Sequence, residues 1–441
     1  MNLEVKPALA RTPLKPLDQA LTELLTHALP PLGAEAVSTF DADGRVLAQD
    51  LMASLDVPAH DNSSMDGYAL RCADWLDADT RLEVKQRIAA GTSGRVLEAA
   101  SAARIFTGAP IPPGADAVVM QEDCVSIDGV NGGPPAVRVL VPPKPGQWIR
   151  RRGEDVAFGD VILSRGCRLT PASLGLAASV GFDKLQLAPR VRVALFSTGD
   201  ELVMPGEVLP ADMKPGAIYN SNRFFLRALL LRLGCNVTDL GIVPDRLDAT
   251  IAALRGAARQ HDLILTSGGV SVGEEDHIKP AVQALGELKL WQIAIKPGKP
   301  FAYGKISKSD QTGKVAASAA AGSGTVAKFA HFIGLPGNPV SSFVTFLLLV
   351  RPFLLKLQGA SAHAPESMAL RADFDWPNPD KRREFLRGRQ NSLGGLDLFE
   401  NQSSGVLTSA VWGNGLIDNP PGQAISRGDV VRFIPFSSLM S

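Results

Sequence analysis

Apolar residues follow two patterns along this chain. Over residues 16–29 they recur at helical spacing, with Leu17, Leu21, Leu24, Leu25 and Ala28 on one face, and Pro30 and Pro31 stop the helix. After it the runs shorten. Residues 36–40 and 45–47 flank the turn Asp41-Ala42-Asp43-Gly44, and further runs at 82–88, 102–106, 117–120 and 136–141 are parted by Gly/Pro loops, the mark of a β-rich domain. Residues 171–180 predict a helix, with Thr170 as N-cap, Pro171 in the first position and Gly181 at the end.

From Arg190 strands and helices alternate. Strands are predicted at 191–196, 236–243, 263–265, 289–295, 301–306 and 332–335. Helices lie between them: one through 223–233, capped by Ser221 and closed by Gly234, and one over 248–260 with Leu247, Ile251, Leu254 and Ala258 on one face. This is the pattern of a doubly wound α/β domain. The most apolar run, 343–350, meets Arg351 and Pro352 before it could span a bilayer, and the N-terminus has no apolar signal core, so no membrane association is expected. Residues 305–328 are rich in Ala, Ser and Gly and read as a surface insertion; from about residue 367 short strands with Gly/Asn/Pro turns predict a small β-barrel-like domain.

Composition narrows the function classes. The 441 residues are enough for several domains, and Lys+Arg 45 against Asp+Glu 45 leaves no charge for generic nucleic-acid or acidic-membrane binding. Any bound anion must therefore be held locally. Cys72, Cys124, Cys167 and Cys235 are scattered without CxxC spacing, which argues against zinc and disulfides and fits a reducing cytoplasm.

The candidate chemistry gathers where predicted strands end. Residues 261–280 read HDLILTSGGVSVGEEDHIKP: a buried strand, a loop offering Thr266, Ser267, Gly268, Gly269 and Ser271, and a predicted helix start at Glu274, Glu275 and Asp276. Carboxylates beside an oxyanion cradle imply a divalent cation between them, because bare carboxylates repel phosphate. Residues 197–201, Asp245, 296–299 and 336–341 also follow strands directly, and ligands bind at the carboxyl ends of such sheets. That rim can hold a phosphate-bearing ligand with a metal. Neither GxxxxGK[ST] nor GxGxxG occurs. In the β-rich domain, DNSSMDGYA at 61–69 and the proline-stiffened loop within 104–118 are rigid polar loops suited to binding. Arg150-Arg151-Arg152-Gly153-Glu154-Asp155, the segment 382–387 and Gln402-Ser403-Ser404 read first as surface charge and turns, and second as site linings.

Taken together and in this order, DNSSMDGYA, FTGAPIPPGADAVV, RRRGED, STGDEL, TSGGVSVGEED, KPGKPF and GLPGNPVSS closely resemble the MoeA family, the molybdopterin molybdenumtransferases that include the gephyrin E domain. The resemblance spans about residues 14–436, with 305–328 as the main departure. It implies a multidomain α/β chain: a discontinuous linker domain of helix plus β (1–53 and 146–188), an inserted β domain (54–145), a doubly wound MogA-like α/β domain (189–360) and a C-terminal β-barrel-like domain (361–441). A homodimer is implied, with the site between the α/β domain of one subunit and the β domain of the other.

The implied reaction inserts molybdate into the dithiolene of adenylylated molybdopterin, with magnesium-dependent release of AMP. By motif match, Asp66, Thr107, Asp155, Glu201, Asp245 and Asp276 are the expected catalytic residues, with Asp245, Asp276 and Glu201 on the metal. Ser267, Gly268, Gly269, Ser271, Lys296, Lys299, Pro336, Asn338, Ser341, Arg383, Ser403 and Ser404 are the expected substrate contacts. Transfer of the product to molybdoenzyme apoproteins would follow. Two alternatives stay open on the residues alone, a molybdopterin adenylyltransferase and a non-catalytic molybdopterin-binding scaffold, and tungstate would present nearly the same contacts as molybdate.

Overall fold

The helical spacing near the N-terminus becomes helix α1 (Leu17–His27), which buries Leu17, Ala20 and Leu24. The computed structural model describes residues 14–30, 33–128, 134–269, 277–309 and 328–440. Within them α1 packs into the largest core of the protein, beside Val193, Trp291, Tyr303 and Phe353. It thus shares its core with the α/β domain rather than with the strands that follow it in sequence. Those strands form a separate small body: Glu35–Ser38 pairs antiparallel with Lys184–Leu187, and Leu47, Leu51, Leu169, Ala177 and Leu185 fill its interior. Helix α2 (Pro171–Ser179) closes it, with the Thr170 hydroxyl accepting the Ser173 N–H as the sequence predicts.

The inserted β domain is one six-stranded sheet. Its strands are β1 (Gly67–Leu70), β2 (Arg81–Ile88), β3 (Ser101–Ile105), β4 (Ala117–Met120), β5 (Cys124–Ile127) and β6 (Ala136–Val139), in the order β4-β1-β3-β2-β6-β5. Side chains alternate between two cores, Tyr68 and Leu70 on one face and Ala69 on the other. Gly67 is required where β1 meets β4, because a Cβ there would lie 1.9 Å from the Val119 carbonyl oxygen.

The central sheet holds β7 (Arg192–Thr198), β8 (Asn236–Val243), β9 (Leu263–Ser267), β10 (Gly286–Gln292), β12 (Pro300–Ser307) and β13 (Phe329–Leu335), in the order β8-β7-β9-β13-β12-β10. The first four in that order are parallel; β12 and β10 are antiparallel. Helices α3 (Asn222–Arg232), α4 (Leu247–Gln260) and α5 (Ile278–Leu285) cover it. The expected face of α4 packs inward through Ile251, Leu254 and Ala258, joined by Thr250 and Ala257, while Leu247 at its start is 40% exposed. The predicted single strand at 289–295 is two: β10 ends at Gln292, and β11 (Ile295–Lys296) leaves the sheet to pair in parallel with β15 (Arg383–Gln390) of the C-terminal domain.

Arg351 and Pro352 do not interrupt the apolar helix. α6 (Pro339–Thr345), a π turn (Phe346–Val350) and α7 (Arg351–Leu357) run as one 19-residue helix of mean hydropathy 1.8, long and apolar enough to cross a bilayer, but 89% buried inside the protein. Proline lacks an N–H and crowds the carbonyl four residues back; the wider π turn just before it relieves both. The Arg351 guanidinium bonds the carbonyls of His363 and Ser438, and burial draws its pKa down to about 10.

The C-terminal domain adds β14 (Met368–Arg371), β16 (Leu396–Leu398), β17 (Gly415–Asn419) and β18 (Val430–Pro435) in the order β11-β15-β17-β18-β14, with β16 on β15. A bridge from Ala372 to Leu396 joins the chain after β14 to β16, giving the barrel-like ring expected from the strand pattern.

Candidate functional site

The parallel strands β7, β8, β9 and β13 end on one edge, with Ser197 level with Ser267, Ser267 level with Leu335, and Thr198 level with Val243. The loops after Thr198, Val243, Ser267 and Leu335 therefore start from the same rim, whereas the 296–299 loop follows β11, which pairs with the barrel. Gly268 and Gly269 turn there with φ of 93° and 67°, and a Cβ on Gly268 would sit 3.1 Å from the Thr198 carbonyl. The Gly268 N–H bonds the Leu335 carbonyl at 3.1 Å, and the Ser267 hydroxyl reaches the Pro336 carbonyl at 3.5 Å. The structure thus brings Ser267, Gly268, Gly269, Pro336 and Asn338 together. Ser271 and Asp276 lie outside the described residues, as does the predicted helix start at 274–276; α5 is described from Ile278.

Asn222, at the start of α3, is a participant the sequence reading missed. Its amide donates to the Ser267 hydroxyl at 2.8 Å and to the Gly337 carbonyl at 2.7 Å, and its side-chain oxygen is buried without a hydrogen-bond partner among the described residues. Ser221 makes no side-chain cap, so the expected cap is absent and its neighbour serves the rim instead. The run Tyr219-Asn220-Ser221-Asn222 before an apolar helix was the available signal.

The acids occupy the β7 and β8 end of the rim. The Asp245 N–H approaches an Asp200 carboxylate oxygen at 3.4 Å, and the Glu201 carboxylate folds back over Gly199, whose added Cβ would meet it at 2.5 Å. No cluster of three or more metal-ligating side chains occurs among the described residues. Magnesium does not require one: it commonly binds one or two carboxylates and completes its shell with water and phosphate. Hard carboxylate oxygens on adjacent strand ends fit that ion.

At the other end the rim meets the barrel. The Asn338 amide donates to the Ser404 hydroxyl at 3.1 Å, and the Val340 N–H to the Ser404 carbonyl at 2.9 Å. Ser341 is buried; a Cβ on Gly298 would touch its carbonyl at 3.4 Å, so the 296–299 loop abuts α6. Lys296 is already paired, lying 3.2 Å from the fully buried Glu384 and 3.6 Å from Asp380, whereas Lys299 is exposed.

Arg383 does not join this group. Its guanidinium is bound by Asp418 at 2.6 Å and Asp18 at 3.1 Å, in a groove between α1 and the barrel. The arginine behind the serines is Arg387, four residues along β15. Fully buried, it donates to the Ser403 and Phe385 carbonyls and the Ser409 hydroxyl, all neutral oxygens, and burial draws its pKa down to about 10. Among the described residues its hydrogen-bond partners are all neutral oxygens, so no carboxylate takes up its charge.

The two stiff loops of the β domain meet one another. A single Asp66 carboxylate oxygen accepts both the N–H and the hydroxyl of Thr107, each at 2.8 Å, which holds the Asp66 pKa below the usual carboxylate range. Asp61 similarly binds the Arg152 N–H and the Arg151 guanidinium, so the RRRGED segment braces the same loops. Asp155 is exposed nearby and tied to Val57 through its backbone. The hydrogen bonds described for Asp66 and Thr107 do not reach the central rim.

Three family models cover this layout in order. Residues 15–181 match the MoeA N-terminal region (domains I and II), 194–356 a probable molybdopterin binding domain, and 369–436 the MoeA C-terminal region (domain IV). A molybdopterin molybdenumtransferase of Haemophilus influenzae is 38% identical over 432 residues, covering 96% of this chain and 99% of that protein. The chain belongs to the MoeA family. A molybdopterin molybdenumtransferase of Nostoc is 33% identical over 89% of this chain and 87% of its own length. A solved MoeA structure, from Pyrococcus horikoshii OT3, superposes with a TM-score of 0.79 at 27% identity, over 96% of this chain and 100% of that one. In MoeA terms the rim lies within the molybdopterin binding match, the Asp66–Thr107 pair within domains I and II, and Arg387 with Ser403 and Ser404 within domain IV. The candidate residues are thus spread over all three matched regions.

Proposed function

We propose that this chain is a molybdenum cofactor biosynthesis enzyme that inserts molybdate into adenylylated molybdopterin and releases AMP. The observation that supports the reading best is the rim, where two glycine loops are held against each other beside carboxylates on adjacent strand ends. The backbone N–H groups of the 268–269 turn, with Ser267, would receive the phosphates of the substrate. Glu201 and Asp245, with Asp276, would hold magnesium, which when bound would neutralise charge developing on the bridging phosphate oxygens. Lys299 and Arg387, the latter behind Ser403 and Ser404, would steady the remaining negative charge, molybdate included. Water adds to the anhydride phosphorus, the P–O bond breaks and AMP leaves; the two dithiolene sulfurs bond molybdenum, and one molybdate oxygen departs as water with the two thiol protons, with no change of oxidation state. No side-chain nucleophile is needed.

The pair Asp66 and Thr107, with Asp155, would complete the site from a second subunit of a homodimer, and the cofactor would pass to apoproteins of molybdoenzymes. All four cysteines are free thiols, which suits a reducing cytoplasm.

The test is AMP release from adenylylated molybdopterin with magnesium, with and without molybdate, on the wild type and Asp245→Asn. Molybdate-stimulated release that falls at least about a hundredfold in the variant is expected for a charge-stabilising carboxylate. Formation of the adenylate from ATP without molybdate-dependent cleavage would move the protein to the preceding step.

A further inference from the structure

Asn222 has no place in the sequence motifs that carry the resemblance, yet it sits where the rim is narrowest. β9 and β13 are neighbouring parallel strands, and the loops that leave them face each other across Gly268 and Gly337: a Cβ on Gly337 would meet the Gly268 Cα at 3.9 Å. Asn222 comes from neither loop. It is the first residue of α3, which is anchored in the main core through Leu226, Leu229 and Leu230. From that fixed point its amide gives one hydrogen to Ser267 on the first loop and the other to the Gly337 carbonyl on the second. The orientation of the amide is determined by chemistry, since a carbonyl oxygen can only accept and the nitrogen must face it.

We propose that Asn222 is a positioning residue that sets the separation of the phosphate-receiving turn at 268–269 and the 336–338 loop, and so the fit of the pterin substrate's phosphates. The inference rests on the reaction proposed above. Only 7% of Asn222 is exposed, and its oxygen, which has no partner among the described residues, carries a stability cost offset by the two hydrogen bonds its nitrogen makes to the rim. Asparagine is required because two donors must issue from one short side chain. Aspartate has the same shape and no donor, and would set a carboxylate against the Gly337 carbonyl; serine retains a single donor.

The experiment compares wild type, Asn222→Asp and Asn222→Ser by steady-state AMP release, by thermal unfolding, and by direct binding of molybdopterin followed through its pterin fluorescence. Loss of two hydrogen bonds that shape a binding surface is expected to raise KM for adenylylated molybdopterin about tenfold or more in Asn222→Asp, with kcat and KM for molybdate little changed; the buried carboxylate lowers the unfolding temperature of that variant, while Asn222→Ser, which buries no charge, shows a smaller rise in KM and a smaller loss of stability. A variant with wild-type KM overturns the proposal. So does a parallel change of kcat and of both KM values in Asn222→Asp and Asn222→Ser alike, which marks a merely structural amide. If the wild type releases no AMP, the reaction is wrong, and the binding arm decides alone: molybdopterin affinity weakened about tenfold in Asn222→Asp upholds the positioning role, and equal affinity ends it.

Discussion

One oxygen of Asp66 accepts two hydrogen bonds from Thr107, and those bonds are what depress its pKa, the backbone N–H first and the hydroxyl second. A carboxylate held ionised in this way contributes while the pH is above its lowered pKa, and the contribution is lost as the pH falls through it. Thr107→Val keeps the side-chain volume and removes one of the two donors, so the Asp66 pKa should rise toward the usual carboxylate range. The acid limb of kcat/KM for AMP release should therefore move to higher pH in that variant; an unchanged limb would show that Asp66 is not the group whose ionisation limits the rate. Pairings like this one were legible as two polar loops but not as a pair, because 41 residues separate the partners. The setting of Arg383 was hidden for a related reason: Asp418 and Asp18 bind it from distant parts of the chain, and no local pattern reveals those partners.

At the scale of elements, spacing located most helices and strands, and tertiary contacts decided the rest. Gln292 ends β10 and Ile295 begins β11 because the barrel offers β15 as a partner, a pairing no propensity contains. Likewise α6 runs through a π turn into Pro352 because its surroundings bury it on every side. The joint between α1 and the central sheet has consequences of its own. His27 stacks on Tyr303 at 4.7 Å, and the Tyr303 hydroxyl and His331 Nδ1 lie 3.0 Å apart in a hydrogen bond. Burial lowers the His331 pKa to about 3, helped by Lys305, His27 and Lys308 and opposed by Asp262. A histidine that stays neutral when folded, with an ordinary value of 6.5 when unfolded, favours unfolding as the pH falls below 6.5, down to about 3. Stability should drop by about 2 kcal/mol between pH 6.5 and pH 5 from this group alone. Urea midpoints across that range should show a steeper acid loss in wild type than in His331→Gln, and equal slopes would remove His331 as the cause.

The whole molecule poses the question that its single chain does not answer, since the Asp66–Thr107 pair and the central rim are held in different domains by separate sets of hydrogen bonds. The shared site proposed above would account for both halves being held rigidly: Arg151 and Arg152 brace Asp61, and Asp66 holds Thr107 of the second loop. Complementation between two dead variants separates this arrangement from one confined to a single chain. In Asp66→Asn the β-domain half is damaged, and in Asp245→Asn the rim half. When equal amounts are unfolded and refolded together, half of the dimers are mixed, and in each mixed dimer one shared site receives both intact halves. Activity should return to about a quarter of the wild-type value. If each chain carries its own complete site, every site in the mixture holds one damaged half and nothing returns. The size of the recovered activity therefore reports how the subunits divide the chemistry.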